Sequence, residues 1–417
     1  MSKASFLFVL TALAACGPGE RPWTGTITDS AGVQIVANTA QRLWPDGAQW
    51  TLVEELRIGT IDEEPEYQFG QIAWLTPGSD GRIYVFDSQG QHVKVFSPDG
   101  TYERTIGGPG SGPGEIGQPQ GGQGFVFVGP GDTVFVPDLS NQRVDRWAPD
   151  GTEAGSFRLN LEQGFPVSWQ AAPNGAIAEQ TRHLNFAGGD DAADPPQDVV
   201  LLLTTDGAVS DTVVTFPPGE SIKFSGGIPD WTIYTPETAW MMTGTGHVLL
   251  GTSDQYRIRE YDGSGALIRI ITMPYERRLV TERDQRAVLA FFETLFKDQG
   301  VPATIAQRLI DNNVHFAEYL PAFGRMVRGP NNTIWVQHVR AASDMSDEQL
   351  KAANFIEDIG APAWDVLDAE GRYLGVVTMP DRFAPRVIVG EKIYGVWRDE
   401  LDVQYAVVLR IEGTVEE

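Results

Sequence analysis

Residues 82–106 have the sequence RIYVFDSQGQHVKVFSPDGTYERTI, and residues 133–157 repeat its pattern as TVFVPDLSNQRVDRWAPDGTEAGSF. In each copy, two short apolar runs alternate with period two around a polar turn, and a Pro-Asp-Gly turn leads into a third run. The copies lie about 51 residues apart, near the length of a four-stranded propeller blade. The repeat therefore predicts an all-β fold built from consecutive blades.

Weaker copies of the strand–turn–strand pattern continue along the chain, at residues 199–216, 256–273 and 364–379. Three further runs, at residues 387–389, 393–397 and 405–411, form a sixth blade that lacks an outer strand. Residues 50–58 make an isolated strand before the first complete blade, and we expect them to supply the missing strand and close the ring. The prediction is a six-bladed β-propeller at residues 50–413, preceded by an arm at residues 16–49. Five and seven blades are the alternative counts.

The paired strand units resemble NHL repeats. The glycine-rich stretch GGPGSGPGE, at residues 107–115, is similar to a linker found in six-bladed propeller lipoproteins of environmental bacteria. The resemblance implies the fold and a lipoprotein. It does not imply a particular chemistry, because propellers of this kind carry several activities.

The first residues form a secretory signal. Lys3 precedes an apolar run at residues 6–10, which is too short to span a membrane. Leu13-Ala14-Ala15-Cys16 resembles the bacterial lipobox, which implies cleavage of residues 1–15 and a lipid such as palmitate on Cys16. We therefore expect an anchored protein of the bacterial cell envelope, outside the cytoplasm, on the periplasmic side or at the outer membrane. A buried free thiol at Cys16, the only cysteine, is the alternative.

The charge of the chain excludes one class of partner. Asp and Glu number 56 against 31 Lys and Arg, which gives a formal net charge of −25. Nucleic-acid binding requires clustered basic residues, so no nucleic-acid partner is expected. The same charge disfavours flat contact with anionic lipid headgroups. The membrane is expected to be reached through the lipid on Cys16, and the partner is expected to be a protein, peptide or glycan.

Long insertions interrupt the blades at about residues 183–197, 217–237, 274–321 and 340–362. With strands labelled a to d from the axis outward, all four fall in b–c or d–a connections, which share one face of a propeller. The third insertion predicts a helical segment at about residues 276–318, with Thr281 as N-cap. Long loops on a rigid scaffold commonly carry function, so this loop-rich face is the expected functional face. The helical segment is interpreted as a lid, a partner-binding pair or a cap packed on blade edges.

Alignment of the blades places six residues where strand b ends at that face: Asp87, Asp138, Thr181, Thr252, His338 and Trp397. We expect them around the mouth of the central channel. Asp87 and Asp138 are the candidate ligands of a Ca²⁺ ion, because Ca²⁺ prefers oxygen ligands. Capping of the following turn is their alternative role.

Four arginines follow the ends of these strands or lie near them: Arg143, Arg182, Arg340 and Arg398. They either neutralise the acids of the ring or hold an anionic ligand.

Two functions fit this sequence. The first is a lipid-anchored propeller that binds a ligand, or a protein or glycan partner, on its loop-rich face. The alternative is a metal-dependent hydrolase or lyase, similar to propeller lactonases or amidating lyases, with its site in the central channel. Binding is favoured, because the ring offers few ligands and the histidines lack metal-ligand spacing. No catalytic residue is identified, and no cofactor other than the candidate Ca²⁺ is expected.

Overall fold

The computed structural model describes residues 22–60, 64–119, 124–161, 164–183, 196–225, 228–356 and 359–413. Cys16 and the signal segment lie outside these residues. Across the described ranges, no helix is both long and apolar enough to cross a membrane.

The chain begins with three strands that belong to two distant sheets. They are β1 (Thr26–Ser30), β2 (Val33–Ala37) and β3 (Thr51–Ile58). Blade 1 then consists of β4 to β7, at Ile72–Pro77, Ile83–Asp87, His92–Phe96 and Tyr102–Ile106. Blade 2 consists of β8 to β11, at Phe127–Val128, Val134–Asp138, Arg143–Trp147 and Glu153–Arg158. Blade 3 consists of β12 to β15, at Phe165–Ala171, Ile177–His183, Gln197–Leu203 and Val209–Phe216.

The second half of the chain alternates blades with inserted elements. Strands β16 (Ile222–Ser225) and β17 (Ile228–Ile233) precede blade 4, whose strands β18 to β21 lie at Thr238–Met242, Val248–Thr252, Arg257–Tyr261 and Leu267–Thr272. Helices α1 (Glu282–Asp298) and α2 (Ala303–Asn313) and strand β22 (Val314–Phe316) follow. Blade 5 consists of β23 to β26, at Met326–Arg328, Ile334–Val339, Gly360–Leu367 and Tyr373–Thr378, with helix α3 (Asp347–Ala352) inserted after β24. Blade 6 contains β27 to β29, at Phe383–Val389, Lys392–Arg398 and Gln404–Glu412.

The ring is closed by the amino-terminal strand β3. It pairs antiparallel with β29, with Leu52 opposite Ile411 and Ile58 opposite Ala406, and forms the outer strand of blade 6. Each innermost strand contacts the innermost strands of both neighbouring blades. The six-bladed propeller predicted from the repeat is therefore confirmed, together with the strand that closes it.

Apolar side chains from facing blades form the core. Between blades 1 and 2, for example, Tyr84, Phe86, Val134 and Val136 are at most 2% exposed. Burying a large apolar side chain contributes roughly 1.5–3 kcal/mol, so these layers hold the ring together without disulfides. The c–d turns require glycine, because Gly100 and Gly151 have φ angles of 85° and 87°.

An unpredicted hairpin extends blade 4 to six strands. Within the arm expected at residues 16–49, β1 and β2 pair around Ala31 and Gly32, whose φ angles are both positive. Strand β2 then runs parallel to β21, with Ala37 beside Thr272. Because Thr26 pairs with Ala37, the start of the hairpin lies at the end of β21 from which the chain enters the helical insertion.

Candidate functional site

Three of the four predicted insertions pack together into one structure, which we call the cap. It consists of the described parts of residues 217–237, 274–321 and 340–362. Their apolar side chains share a buried core, whose members include Tyr234, Val288, Phe292, Phe296, Ile310, Ala342 and Phe355. Strand β17 also pairs with β22 and joins the first insertion to the second. The predicted helical insertion is therefore present, and these three insertions lie on one face, as predicted. Most of the fourth insertion, at 183–197, lies outside the described residues.

The start of α1 ties the second insertion to the third. Thr281 is the N-cap, as predicted, and forms a capping box with Asp284. Asp284 is fully buried, and it also accepts a hydrogen bond from the backbone amide of Ser343 at 2.6 Å. Burial acts to raise the pKa of Asp284, but the hydrogen bonds from Thr281 and Ser343 together lower it. The cap therefore holds an ionised carboxylate at the junction of two insertions.

A groove of about 470 Å³ opens on the outside of the cap. Its walls come from all three insertions: Pro229, Trp231, Phe291, Leu295, Phe296, Gln299, Leu309, Asn354 and Ile356. The volume lies within the range of ligand pockets, which are mostly apolar and carry a few polar groups. Gln299 and Asn354 supply amides, and none of the described residues that line the groove is charged.

Asp87 and Asp138 cap turns. Each is 3% exposed. Asp87 accepts the amides of Gly70, Gln71, Gln89 and Gly90 at 2.9–3.1 Å. These bonds correspond to the alternative role that the sequence analysis gave, and they occupy both carboxylate oxygens.

Asp138 accepts the amides of Gly117 and Asn141 at 2.8 and 3.0 Å and the Asn141 side chain at 2.6 Å. Among the described residues, no group of three His, Cys, Asp or Glu side chains has the arrangement of a metal site. The Ca²⁺ site and the metal-dependent alternative stay predictions.

Arg143 and Arg182 are engaged with protein groups. The Arg143 guanidinium donates to Asp145 and to the carbonyls of Ser111, Gly112 and Glu115 at 2.6–3.2 Å. It thereby fixes the glycine-rich linker before blade 2.

Arg182 forms a bidentate pair with the fully buried Asp198, at 2.7 and 2.8 Å. Both arginines therefore neutralise acids, but these are Asp145 and Asp198 and not the ring carboxylates Asp87 and Asp138.

His338 and Arg340 lie at the boundary between blade 5 and the cap. The His338 Nε2 atom is 2.9 Å from Asp365, which also accepts the Tyr256 hydroxyl of blade 4 at 3.0 Å. Burial acts to lower the pKa of His338, but the hydrogen bond and charge of Asp365 raise it overall. The Arg340 guanidinium is 3.7 Å from the exposed Asp381.

Trp397, Arg398 and the two threonines complete the predicted ring. Trp397 donates to the Asp381 carbonyl at 3.1 Å and is covered by the Arg57 guanidinium, 4.0 Å from the ring centre. Arg398 pairs with Asp402 in the next turn. Thr181 is fully buried, and the Thr252 hydroxyl contacts that of Thr238. The position of these residues at the channel mouth stays a prediction.

Glu179 is a titratable group that the sequence analysis missed. It is 8% exposed, and burial raises its pKa to about 7 although the Thr181 hydroxyl donates to it. No sequence motif marks Glu179, because its strand, IAEQTRH, is mostly polar, and the burial of this carboxyl becomes evident only in the folded structure.

Comparisons with known proteins support the fold. A family model described as a 6-bladed β-propeller, DUF5128, matches residues 59–121. No curated protein matches the chain in sequence.

Among solved structures, a protein of Bacteroides fragilis that its name describes as exported is 12% identical, with a TM-score of 0.50 over 91% of this chain and 99% of its own. A DUF4221 family member from Bacteroides vulgatus is also 12% identical, with a TM-score of 0.50 over 88% of this chain and 98% of its own. An inactive virginiamycin B lyase variant from Staphylococcus aureus is 11% identical, with a TM-score of 0.41 over 87% and 99% of the two chains. At identities of this size, the two structures from Bacteroides support the β-propeller fold alone.

Proposed function

We propose that this protein is a lipid-anchored, extracytoplasmic binding propeller that holds an apolar segment of a partner polypeptide in the cap groove. The observation that carries the proposal is the groove itself. Its walls come from three insertions that the propeller does not need in order to close, and those insertions leave Trp231, Phe291 and Leu295 partly exposed around one concavity. Exposed concave apolar surfaces on soluble proteins are characteristic of binding sites.

The chemistry of the lining favours a polypeptide. Aromatic and aliphatic walls fit apolar side chains, as in grooves that accept amphipathic helices. The Gln299 side chain makes no hydrogen bond within the described part of the chain, so its amide is available to backbone groups of a bound segment. A glycan presents mostly hydroxyl groups, and this lining offers few partners for them.

The predicted anchor would hold the groove near the membrane. Trp23 follows Cys16 by seven residues, which span at most about 25 Å when fully extended. Trp23 packs in the same apolar cluster as Met273 and Tyr275, where the chain enters the cap. A partner at the same membrane surface would therefore meet the cap at high local concentration.

The anchor is tested by replacing Cys16. We expect the Cys16→Ser protein to lose the mass of the acyl chains and to leave the membrane fraction. Recovery of the variant in the membrane fraction would contradict lipid anchoring and would leave the groove unaffected.

The groove is tested by panning a displayed peptide library on the chain from residue 17 onward. Peptides with apolar anchors are expected to bind. Leu295→Glu, which places a charge in the groove, should weaken them at least about tenfold, equivalent to about 1.4 kcal/mol. Leu279→Glu is the matched control, because Leu279 belongs to the cap but is 59% exposed and does not line the groove.

Two outcomes contradict the proposal. Peptides that bind both glutamate variants equally would place recognition elsewhere. The second outcome is that the library yields no binding peptide, while a neutral naphthalene dye binds the wild type and not Leu295→Glu. That result would identify a site for small apolar molecules and not for polypeptides.

A further inference from the structure

A second recess, independent of the cap groove, lies on blade 4. It has a volume of about 200 Å³ and is lined by Thr252, Asp254, Gln255, Arg257 and Arg259. These residues come from the end of β19, the b–c turn and the first half of β20. We call it the arginine recess. Its position at the end of strand b places it on the loop-rich face.

The two arginines project from the same side of one strand. Arg257 and Arg259 flank Ile258, which is fully buried on the opposite side of β20. Residues two apart on a strand share a face and lie about 6.6 Å apart. At this spacing, one small anion can contact the guanidinium groups of both arginines.

Neither arginine has an acidic partner. Within the described ranges, no ion pair or side-chain hydrogen bond involves Arg257 or Arg259, although Asp254 lines the same recess. By contrast, Arg269 of the same blade contacts Glu260 at 2.5 Å, and Arg182 of blade 3 contacts Asp198 at 2.7 Å. In a chain with a net charge of −25, two unpaired arginines in one concavity are the exception.

We propose that the arginine recess binds a phosphate group. Two guanidinium groups offer forked donors that match the tetrahedral oxygens of phosphate. The Thr252 hydroxyl and the Gln255 amide line the same recess and add uncharged donors. Asp254 opposes binding by its charge, so the site is expected to be weak as it stands and to strengthen when that charge is removed.

The phosphate has two sources, a free phosphate compound or a lipid headgroup. Arg257 pairs with Thr272, which lies beside Ala37, and Ala37 pairs with Thr26. The recess and the start of the amino-terminal hairpin therefore lie at the same end of the strands of blade 4. The hairpin follows the predicted anchor in the chain. A headgroup phosphate can reach the arginine recess only if the anchor holds this end of blade 4 at the membrane surface.

The experiment measures binding of inorganic phosphate by calorimetry, using the full chain with Cys16→Ser. We expect saturable binding that weakens at least about tenfold in Arg257→Gln and in Arg259→Gln, and that tightens in Asp254→Asn. Arg283→Gln is the matched control, because Arg283 is an exposed arginine on α1 and its replacement changes the net charge equally. Thermal unfolding of each variant shows whether the fold is retained.

A second arm distinguishes the sources. Flotation with phosphatidylcholine vesicles that contain phosphatidic acid tests a headgroup, and the same vesicles with phosphatidylserine test for charge alone. Co-flotation with phosphatidic acid that is lost in Arg257→Gln indicates a headgroup ligand, whereas phosphate binding without flotation indicates a free one. Phosphate binding that is absent, or that is equal in the wild type and in all four variants, overturns the proposal.

Discussion

Replacing Asp87 tests whether the carboxylates that were predicted to lie at the channel mouth serve the fold or a metal. Its Oδ1 atom accepts the amides of Gln71, Gln89 and Gly90, and its Oδ2 atom accepts that of Gly70. Two of these donors precede strand β4 and two follow strand β5, so one side chain fixes both ends of the inner hairpin of blade 1. Asp87→Ala leaves all four donors without their acceptor.

The size of the effect can be worked out from these bonds. A hydrogen bond to a charged group contributes roughly 1.5–3 kcal/mol, and a buried donor left unpaired costs about 1–3 kcal/mol. Water will reach part of the loosened turn, so the four losses do not add, and we expect Asp87→Ala to cost about 3–5 kcal/mol. Asp87→Asn keeps one carbonyl oxygen, which can still serve the three donors on Oδ1. It should therefore cost less, about 1–2 kcal/mol.

The assay combines urea unfolding with hydrogen exchange of peptides that cover residues 68–91. Asp87→Ala should speed exchange at this turn and lower the unfolding midpoint, with Asp87→Asn between it and the wild type. Asp99→Ala is the control, because Asp99 caps a solvent-exposed turn of the same blade, and it should change neither quantity appreciably. Calcium and chelator should leave all four proteins unchanged.

Two results would refute this interpretation. An unfolding midpoint that does not change in Asp87→Ala would show that the four bonds do not stabilise the ring. About one equivalent of Ca²⁺ in the purified wild type, lost together with stability in Asp87→Ala and on chelation, would instead support the metal site and the enzyme alternative.

Three further predictions concern titration and ring closure. Glu179, whose pKa is raised by burial to about 7, takes up a proton in the folded state, so stability should fall by about 3 kcal/mol as the pH rises from about 4.5 to 7. Urea unfolding should show that Glu179→Gln abolishes this pH dependence, and a dependence that persists would contradict the assignment. Asp365→Asn should lower the pKa of His338, which NMR of the imidazole ring can follow. In the wild type, the raised pKa of His338 stabilises the folded state at low pH, and this stabilisation is lost as the pH rises through that pKa. A chain that begins at residue 60 lacks β3 and the hairpin β1–β2, and it exposes the edges of β29 and β21. Size-exclusion chromatography should find it aggregated, and a stable monomer would show that closure by β3 is dispensable.

The blade repeat could be predicted because its signals are local. Each c–d turn carries Asp-Gly between alternating runs, and the structure places Gly100 and Gly151 at φ angles that other residues rarely adopt. The closing strand could also be predicted, since the sixth blade lacked one strand and residues 50–58 had no partner. The hairpin β1–β2 was missed although Ala31 and Gly32 mark its turn. Its parallel partner β21 lies more than 230 residues further along the chain, and the sequence contains no signal for that pairing.

Alignment located the ends of the b strands to within two residues: Asp87, Asp138 and Thr252 end their strands, whereas Thr181 lies two residues before the end of β13. The roles of these side chains depend on groups that alignment does not bring together. The amides that occupy Asp87 come from the link before β4 as well as from the turn after β5. The partner of His338 is Asp365 on the next strand, and that carboxylate is shared with Tyr256 of the neighbouring blade. Position within a repeat is thus a local property, whereas the availability of a side chain for a ligand depends on contacts across blades.

Helix α1 shows the same limit within one element. Its apolar stripe consists of Val288, Leu289, Phe291, Phe292, Leu295 and Phe296. Residues four apart form rows along a helix, and the row Val288–Phe292–Phe296 is buried in the cap core. The adjacent row, Phe291 and Leu295, is partly exposed and lines the groove, and Phe296 of the buried row also reaches the groove wall. A periodicity of 3.6 residues predicts one apolar face. It does not show which row of that face packs in the cap core and which row is left for a partner. That division appears only when the third insertion, with Phe355 and Ile356, packs beside the helix and stops short of covering it.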